Sequence, residues 1–499
     1  MWSSELTRRR LLRRAGEVAG TAALLSGSGA VDALAGTSRR IAPSQWRRLA
    51  RAVHGRLLLP GDRGFERFAL PYNHRYADIR PAGIVACTTA RDVQAAVRWA
   101  TTNGVPVVPR AGGHSYAGYS TTRGLLVTVK PMRAVEVDDA GATAIVAAGA
   151  RNVDIYDALQ PHEMAISAGR CPSVGVSGLV LGGGFGFSSR RLGLTCDALL
   201  ETEIVTADGA LHRCSATENP DLFWALRGAG GGNLGINTSF TFRTDPVTNV
   251  TLYDLRWSFA DAPQVMAALQ AVLMGAPNTL SCRMGAGNTG RRGGNPTFGA
   301  LGQYFGPPDE LRAILAPAFA AAAPQQELLE SRTFWEAKTY FFHSTPKGQF
   351  AVKSAFLDEP LGPNGVETLL SWIARWPGSR NDDGGGAAIF AWGGAVADPP
   401  PTDTAFVHRG PAFLMAMDTS WTARDSARTA AANRRWLQGL GAAMAPYASG
   451  AAYQNFIDPT QRDPLGAYYG ANLERLVTVK RAVDPSNVFT YPGAIPTRL

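Results

Sequence analysis

The sequence predicts an α+β protein of two domains, and three observations carry that reading. The chain has 499 residues and a mass of 53.0 kDa, more than a single hydrophobic core usually serves. Short strand and helix patterns alternate between about residues 80 and 245. From about 248 to 445 the texture changes to longer strand candidates spaced by Ala-rich helices. That second pattern reads as an antiparallel sheet covered by helices.

In the first region, Thr89 caps a helix over 90–102, with Asp92 at the capping-box position and Gly104 closing it. Val105-Pro106-Val107-Val108-Pro109 follows as a short strand. Pro106 offers no backbone N–H, so this strand belongs at an edge or a parallel rim. Residues 125–130, 134–137 and 143–147 read as further strands and 152–159 as a helix. Strands at 204–206 and 211–213 flank Ala207-Asp208-Gly209 as a hairpin. In the second region, strands are expected at 282–286, 298–304 and 412–421 and helices at 263–273, 311–322 and 423–443. Gly384-Gly385-Gly386 and Pro399-Pro400-Pro401 read as loops between them.

Composition removes several function classes. Hydrophobic residues at 45% and charged residues at 18% exclude a mainly disordered chain, a collagen and a coiled coil. The net charge of +9 does not describe a nucleic-acid-binding surface. Residues 1–35 hold five Arg against Glu5, Glu17 and Asp32, and residues 36–56 hold six Arg and no acid, so the rest is nearly neutral.

Thr7-Arg8-Arg9-Arg10-Leu11-Leu12-Arg13 precedes a small, apolar run over 15–30, and Ala33-Leu34-Ala35 supplies a small-x-small cleavage signal. That order describes a secretory signal over 1–35, and the paired Arg after Thr resembles the twin-arginine type. The mature protein is therefore expected outside the cytoplasm, secreted or in the cell envelope, with the twin-arginine translocase as a transient partner. No other run of 18 apolar residues occurs, so no membrane association is expected after export. Twin-arginine export carries folded proteins, which points to a cofactor acquired in the cytoplasm. Five Cys show neither a CxxC pair nor zinc spacing, and the odd count leaves at least one outside any intramolecular disulfide. His54, His74, His162, His212, His343 and His408 lack ligand spacing, so no metal is expected.

Two glycine-rich segments hold most of the chemical information. The first runs from Pro109 through Arg110-Ala111-Gly112-Gly113-His114-Ser115 to Gly118. Consecutive N–H groups after a strand form a nest for phosphate, although this is not the dinucleotide fingerprint. The second runs from Gly169 through Cys171-Pro172-Ser173-Val174-Gly175-Val176-Ser177-Gly178 to Gly182-Gly183-Gly184-Phe185-Gly186. Glycine at that density lets backbone approach a flat or charged ligand.

With Tyr453-Gln454-Asn455-Phe456 and Asp484-Pro485-Ser486-Asn487-Val488-Phe489 near the end, these segments resemble the berberine bridge enzyme-like group of the vanillyl-alcohol oxidase family. The resemblance covers residues 70–499, least firmly in the middle. It implies a PCMH-type FAD-binding domain built from 36–247 and 446–499, with a substrate domain at 248–445. It also implies FAD covalently attached twice, through His114 at the 8α carbon and Cys171 at C6. Imidazole nitrogen and thiolate are nucleophiles suited to an electron-poor ring system. Around the cofactor the resemblance sets Arg110, Ala111, Gly112, Gly113, Ser115 and Gly118 of the first segment. From the second it sets Ser173, Val174, Gly175, Val176, Gly178, Gly182, Gly183 and Gly186, joined by Ile236 and Asn455. Cys87, Cys196, Cys214 and Cys282 read as buried thiols.

A flavin takes a hydride equivalent from a carbon whose neighbouring O–H or N–H loses a proton, so a base is required. The resemblance gives that role to Tyr453. Some sugar-oxidising relatives add an acid ahead of a Gly-Gly pair, whereas this chain has Ile389-Phe390-Ala391-Trp392-Gly393-Gly394. Phe390, Trp392 and Tyr340 instead suggest an apolar, aromatic-lined substrate pocket. Val174, three residues past Cys171, stands where the family gates oxygen, and Val leaves that gate open. The expected activity is an oxidase acting on an alcohol, hemiacetal or similar carbon of a glycoside, saccharide or secondary metabolite, with O2 reduced to H2O2. A dehydrogenase using another acceptor, oxidative C–C or C–N bond formation on an alkaloid-like substrate, and a non-catalytic binding protein are the alternatives.

Overall fold

A computed structural model describes residues 41–343 and 348–499; the expected export signal lies outside the described residues. Three main sheets organise the chain. The first has the order Arg56–Leu58, Gly83–Ala86, Leu125–Thr128, Val107–Arg110. Gly83–Ala86 and Val107–Arg110 both run parallel to Leu125–Thr128, which leaves the strand after Pro106 at an edge, as its missing N–H requires. Helix Ala90–Asn103 starts on the expected capping box and ends at Gly104, whose φ of 63° suits a residue without Cβ.

The second sheet is antiparallel: Val135–Val137, Thr143–Ala147, Ile236–Arg243, Leu199–Val205, Leu211–Ser215. The third has seven antiparallel strands in the order Gln326–Thr333, Asn249–Trp257, Asn295–Tyr304, Leu280–Thr289, Gly385–Ala391, Phe413–Trp421, Gln349–Leu357. One face of it packs on helices Ala262–Gly275, Pro363–Ala374 and Ala427–Met444 around Leu269, Met284, Leu369, Met415 and Leu440. Period-two alternation turns Arg283, Gly285 and Gly287 to the opposite face.

The C-terminal segment shares the core of the first two sheets, where Tyr453, Tyr469 and Val479 pack with Val97, Leu125 and Phe240. Lys480 and Asp484 fasten it. Both are fully buried, the Lys480 Nζ donates to Asp484 at 2.6 Å, and it reaches the carbonyls of Asn233 (2.7 Å) and Phe489 (2.6 Å).

Three local expectations change. The helix over 311–322 is two helices, Pro308–Ile314 and Ala316–Ala321, because Pro317 cannot donate to the preceding turn. Gly385 and Gly386 lie in a strand, not a loop. A Cβ on Gly385 would meet the Trp376 indole, and one on Gly386 the Ala286 carbonyl. Strands Asn249–Trp257, Gln326–Thr333 and Gln349–Leu357 are additional to those expected.

Candidate active site

The two glycine segments meet through bare backbone. A Cβ on Gly112 would fall on the backbone nitrogen of Gly175, and one on Gly175 would fall on that of Gly112. Only glycine on both sides permits this approach. Beyond the contact lies a cavity of about 600 Å³ lined by both segments, the seven-stranded sheet and the C-terminal segment. His114 and Cys171 both line it, with Ala111, Gly112, Gly113, Ser115, Val174, Gly175, Gly178, Gly186, Ile236 and Asn455. A Cβ on Gly178 would meet nothing within 4 Å, so a side chain there would stand in open space.

His114 Nε2 lies 3.0 Å from Ser173 Oγ, and Tyr72 stacks on the imidazole at 3.7 Å. Burial, with Lys130 nearby, pushes His114 down to about 3 against the Ser173 hydrogen bond. The ring is therefore neutral and keeps a lone-pair nitrogen. The half-buried Cys171 donates its S–H to the His343 carbonyl at 2.9 Å. Burial pushes this thiol up while Arg170 opposes the shift, so Cys171 rests as a thiol rather than the thiolate its expected chemistry uses. The other four cysteines are buried.

Tyr453 lines the same cavity and is 1% exposed. Its phenol oxygen accepts N–H donors from Gly184 and from Asn455 Nδ2, each at 3.0 Å. Burial raises this phenol above its usual value, and the two donors pull it back. Gly184 reaches the oxygen from a backbone with φ 81°, a conformation that favours glycine. Phe185, Trp392, Phe406 and Phe456 surround the ring edge-on at 5.0–6.5 Å.

Not every expected residue reaches the cavity. Arg110 lines it, yet its guanidinium holds the loop by donating to the carbonyls of Ser120 at 2.6 Å and Ala69 at 3.0 Å. Gly118, Gly182 and Gly183 stand behind the wall, where a Cβ would strike Tyr76, Asn455 and Phe406 respectively. Ser173 reaches His114 rather than the cavity, and Val176 is buried at the start of the helix Val176–Leu181. Phe390 lines the cavity, but the other two pocket aromatics need correction. Trp392 is 2% exposed, donates to the His408 carbonyl at 2.9 Å and backs Phe185 and Tyr453. Tyr340 ends a surface helix, 46% exposed, with its hydroxyl donating to Asp254.

The lining is also more polar than expected. Arg170, Arg283, His343, Asp383 and Asp418 join Tyr72, Tyr116 and Phe350 on it. Arg170 and Tyr116 lie within the two glycine segments, whereas no local motif marks Arg283 or Asp418, which reach the cavity only when the sheet forms.

The walls fit FAD. Bare N–H-bearing glycines at 112, 113, 175, 178 and 230–232 line a cavity in the ordinary volume range for a cofactor site, with a neutral imidazole and a thiol at hand.

Comparison with known proteins agrees. Residues 81–215 match the family model for an FAD binding domain, and residues 452–496 match the model for berberine and berberine-like proteins. The chain is 34% identical over 435 residues to the FAD-linked oxidoreductase YgaK of Bacillus subtilis, covering 85% of this chain and 92% of that protein. It is 31% identical to the xylooligosaccharide oxidase of Thermothelomyces thermophilus, over 86% of this chain and 89% of that one. The solved structure of Physcomitrella patens BBE-like 1 superposes with a TM-score of 0.83 at 30% identity, over 91% of this chain and 99% of that one. Motifs, sheets and relatives converge: this chain belongs to the berberine bridge enzyme-like family of FAD-linked oxidoreductases.

Proposed function

We propose that the protein oxidises an alcohol or hemiacetal carbon of a saccharide, glycoside or related secondary metabolite, with FAD attached through His114 and Cys171 and O2 reduced to H2O2. One observation carries the reading: Tyr453 shares the cavity with His114 and Cys171, and two N–H donors meet its phenol oxygen. The oligosaccharide-oxidising relative supports the substrate class.

FAD bound here would supply the acceptor for a hydride equivalent, with O2 as the terminal oxidant. Tyr453 takes the proton of the substrate hydroxyl, and Gly184 N–H and Asn455 Nδ2 stabilise the phenolate it needs for that task. The Phe185, Phe406 and Phe456 rings keep water from the phenol. His114, neutral, offers its lone pair for attachment, and Cys171 must first lose its proton, which the neighbouring Arg170 favours. Division into an FAD domain at 36–247 and 446–499 and a substrate domain at 248–445 belongs to the same proposal. So does export by a twin-arginine signal over 1–35.

Tyr453→Phe tests the assignment. The variant should bind substrate, while anaerobic flavin reduction slows by about 10²–10⁴-fold, the range of general base catalysis. A loss under about tenfold would move the role to another residue.

A further inference from the structure

Arg283 and Asp418 both line the cavity from the seven-stranded sheet. Arg283 stands opposite Phe390, whereas Asp418 stands opposite Gly386, four residues along the strand from the Phe390 partner Leu414. That offset carries Asp418 about 13 Å along the strand from the level of Phe390. Phe390 meets Phe185, which meets Tyr453. The Tyr453 N–H donates to Ser354 Oγ at 3.0 Å, and Ser354 stands opposite Ala416, so Asp418 lies two residues, about 7 Å, along the strand from the Tyr453 anchor, roughly one glycosyl unit beyond it.

Between the two charges the sheet presents Gly285, Gly287, Gly386, Ala388 and Ala416. This floor holds nothing larger than a methyl group. Arg283 lies back over it, with Nη1 at 3.1 Å from where a Gly285 Cβ would stand.

The Arg283 guanidinium lies over the Phe390 ring at 5.9 Å, and neither charge is paired with an opposite one. Among the described residues Arg283 and Asp418 form no ion pair within 4.0 Å, and Arg283 Nε has no hydrogen-bond partner. Asp418 receives its own backbone N–H, and its side chain is exposed and open to the cavity. An open carboxylate and a buried guanidinium nitrogen without a partner, both on one cavity wall, stand free to meet the donors and acceptors of a ligand. Arg170 and Asp383 line the cavity too, so beside the sheet two guanidinium groups balance two carboxylates, while the third arginine of the lining, Arg110, is tied to the Ser120 and Ala69 carbonyls. Burial and the two arginines push His343 down to about 4, leaving it neutral. The balance favours a ligand without net charge that offers both donors and acceptors.

We propose that Asp418, with Arg283 as its donor counterpart, is the specificity anchor that binds the hydroxyl groups of a neutral glycosyl unit next to the one oxidised. This rests on the oxidase reading above and names the part of the substrate the sheet recognises.

The test compares a neutral disaccharide with its monosaccharide on wild type, Asp418→Asn, Asp418→Leu and Arg283→Gln. Flavin content and thermal midpoint identify any variant that fails to fold, and Asp418→Asn keeps the shape. Asp418→Asn should raise KM for the disaccharide about tenfold or more, the loss of hydrogen bonds to a charged group, with kcat within about threefold. KM for the monosaccharide should stay the same. A titration of the flavin spectrum with the borohydride-reduced disaccharide, which lacks the oxidisable carbon, should show the same weakening. An unchanged disaccharide-to-monosaccharide ratio in Asp418→Asn overturns the anchor alone. Preference for a uronic-acid disaccharide over its neutral counterpart overturns the neutral ligand. A wild type whose flavin is reduced by other alcohols but by no sugar overturns the anchor alone, and one whose flavin neither sugars nor other alcohols reduce overturns the oxidase reading and the anchor together.

Discussion

Asn455 donates its side-chain N–H to the phenol oxygen of Tyr453 at 3.0 Å, two residues away along one short helical turn, and anchors itself on the Leu179 carbonyl at 2.9 Å. The bond favours the phenolate, which burial disfavours. Asn455→Leu removes one of two donors, so the phenol should become harder to ionise. The limb on which anaerobic flavin reduction rises with pH should then move upward by about 0.5–1 unit, and the rate near neutrality should fall. An unmoved limb would show that the reaction does not use the Tyr453 phenolate.

Val174 lines the cavity, with its N–H on the Cys171 carbonyl and its own carbonyl on the Asn152 N–H. Backbone bonds on both sides fix where its side chain stands. Val174→Leu adds one methylene, an increment a packed wall notices. Reoxidation of the reduced enzyme by O2 should slow by about tenfold or more, a barrier change of about 1.4 kcal/mol, while anaerobic reduction by substrate changes little. Stopped-flow mixing with oxygenated buffer measures this, and equal rates would remove Val174 as the oxygen gate.

Lys480→Met leaves the Asp484 carboxylate buried without its cation. Breaking a buried pair in this way costs about 3–5 kcal/mol, so the denaturation midpoint should fall sharply. Lys480→Met with Asp484→Leu should recover part of the loss. A midpoint unchanged in the single variant would mean that the C-terminal segment is not fastened there.

Legibility in the sequence followed the range of the physics. Thr89, Asp92 and Gly104 declared their helix because a cap is set by residues a few positions apart. His114 and Cys171 declared themselves through motif, and the structure brings both onto one cavity. Gly385 was misleading, because its glycine answers to the Trp376 indole and not to a turn. The polar end of the cavity was invisible for a related reason. Arg283, Asp383 and Asp418 sit in unremarkable local sequence and converge only through strand pairing. Trp392 and Tyr340 were aromatic in the expected region, but strand and helix ends turned one into the core and the other to the surface.

Whole-protein mass and acid precipitation of wild type, His114→Ala, Cys171→Ala and the double variant test the central claim most directly. Wild type should carry the mass of FAD and give a yellow acid pellet. Each single variant should keep acid-stable flavin through the remaining bond, and the double variant should release it. A wild-type protein that precipitates colourless at the mass of the bare chain would contradict the account.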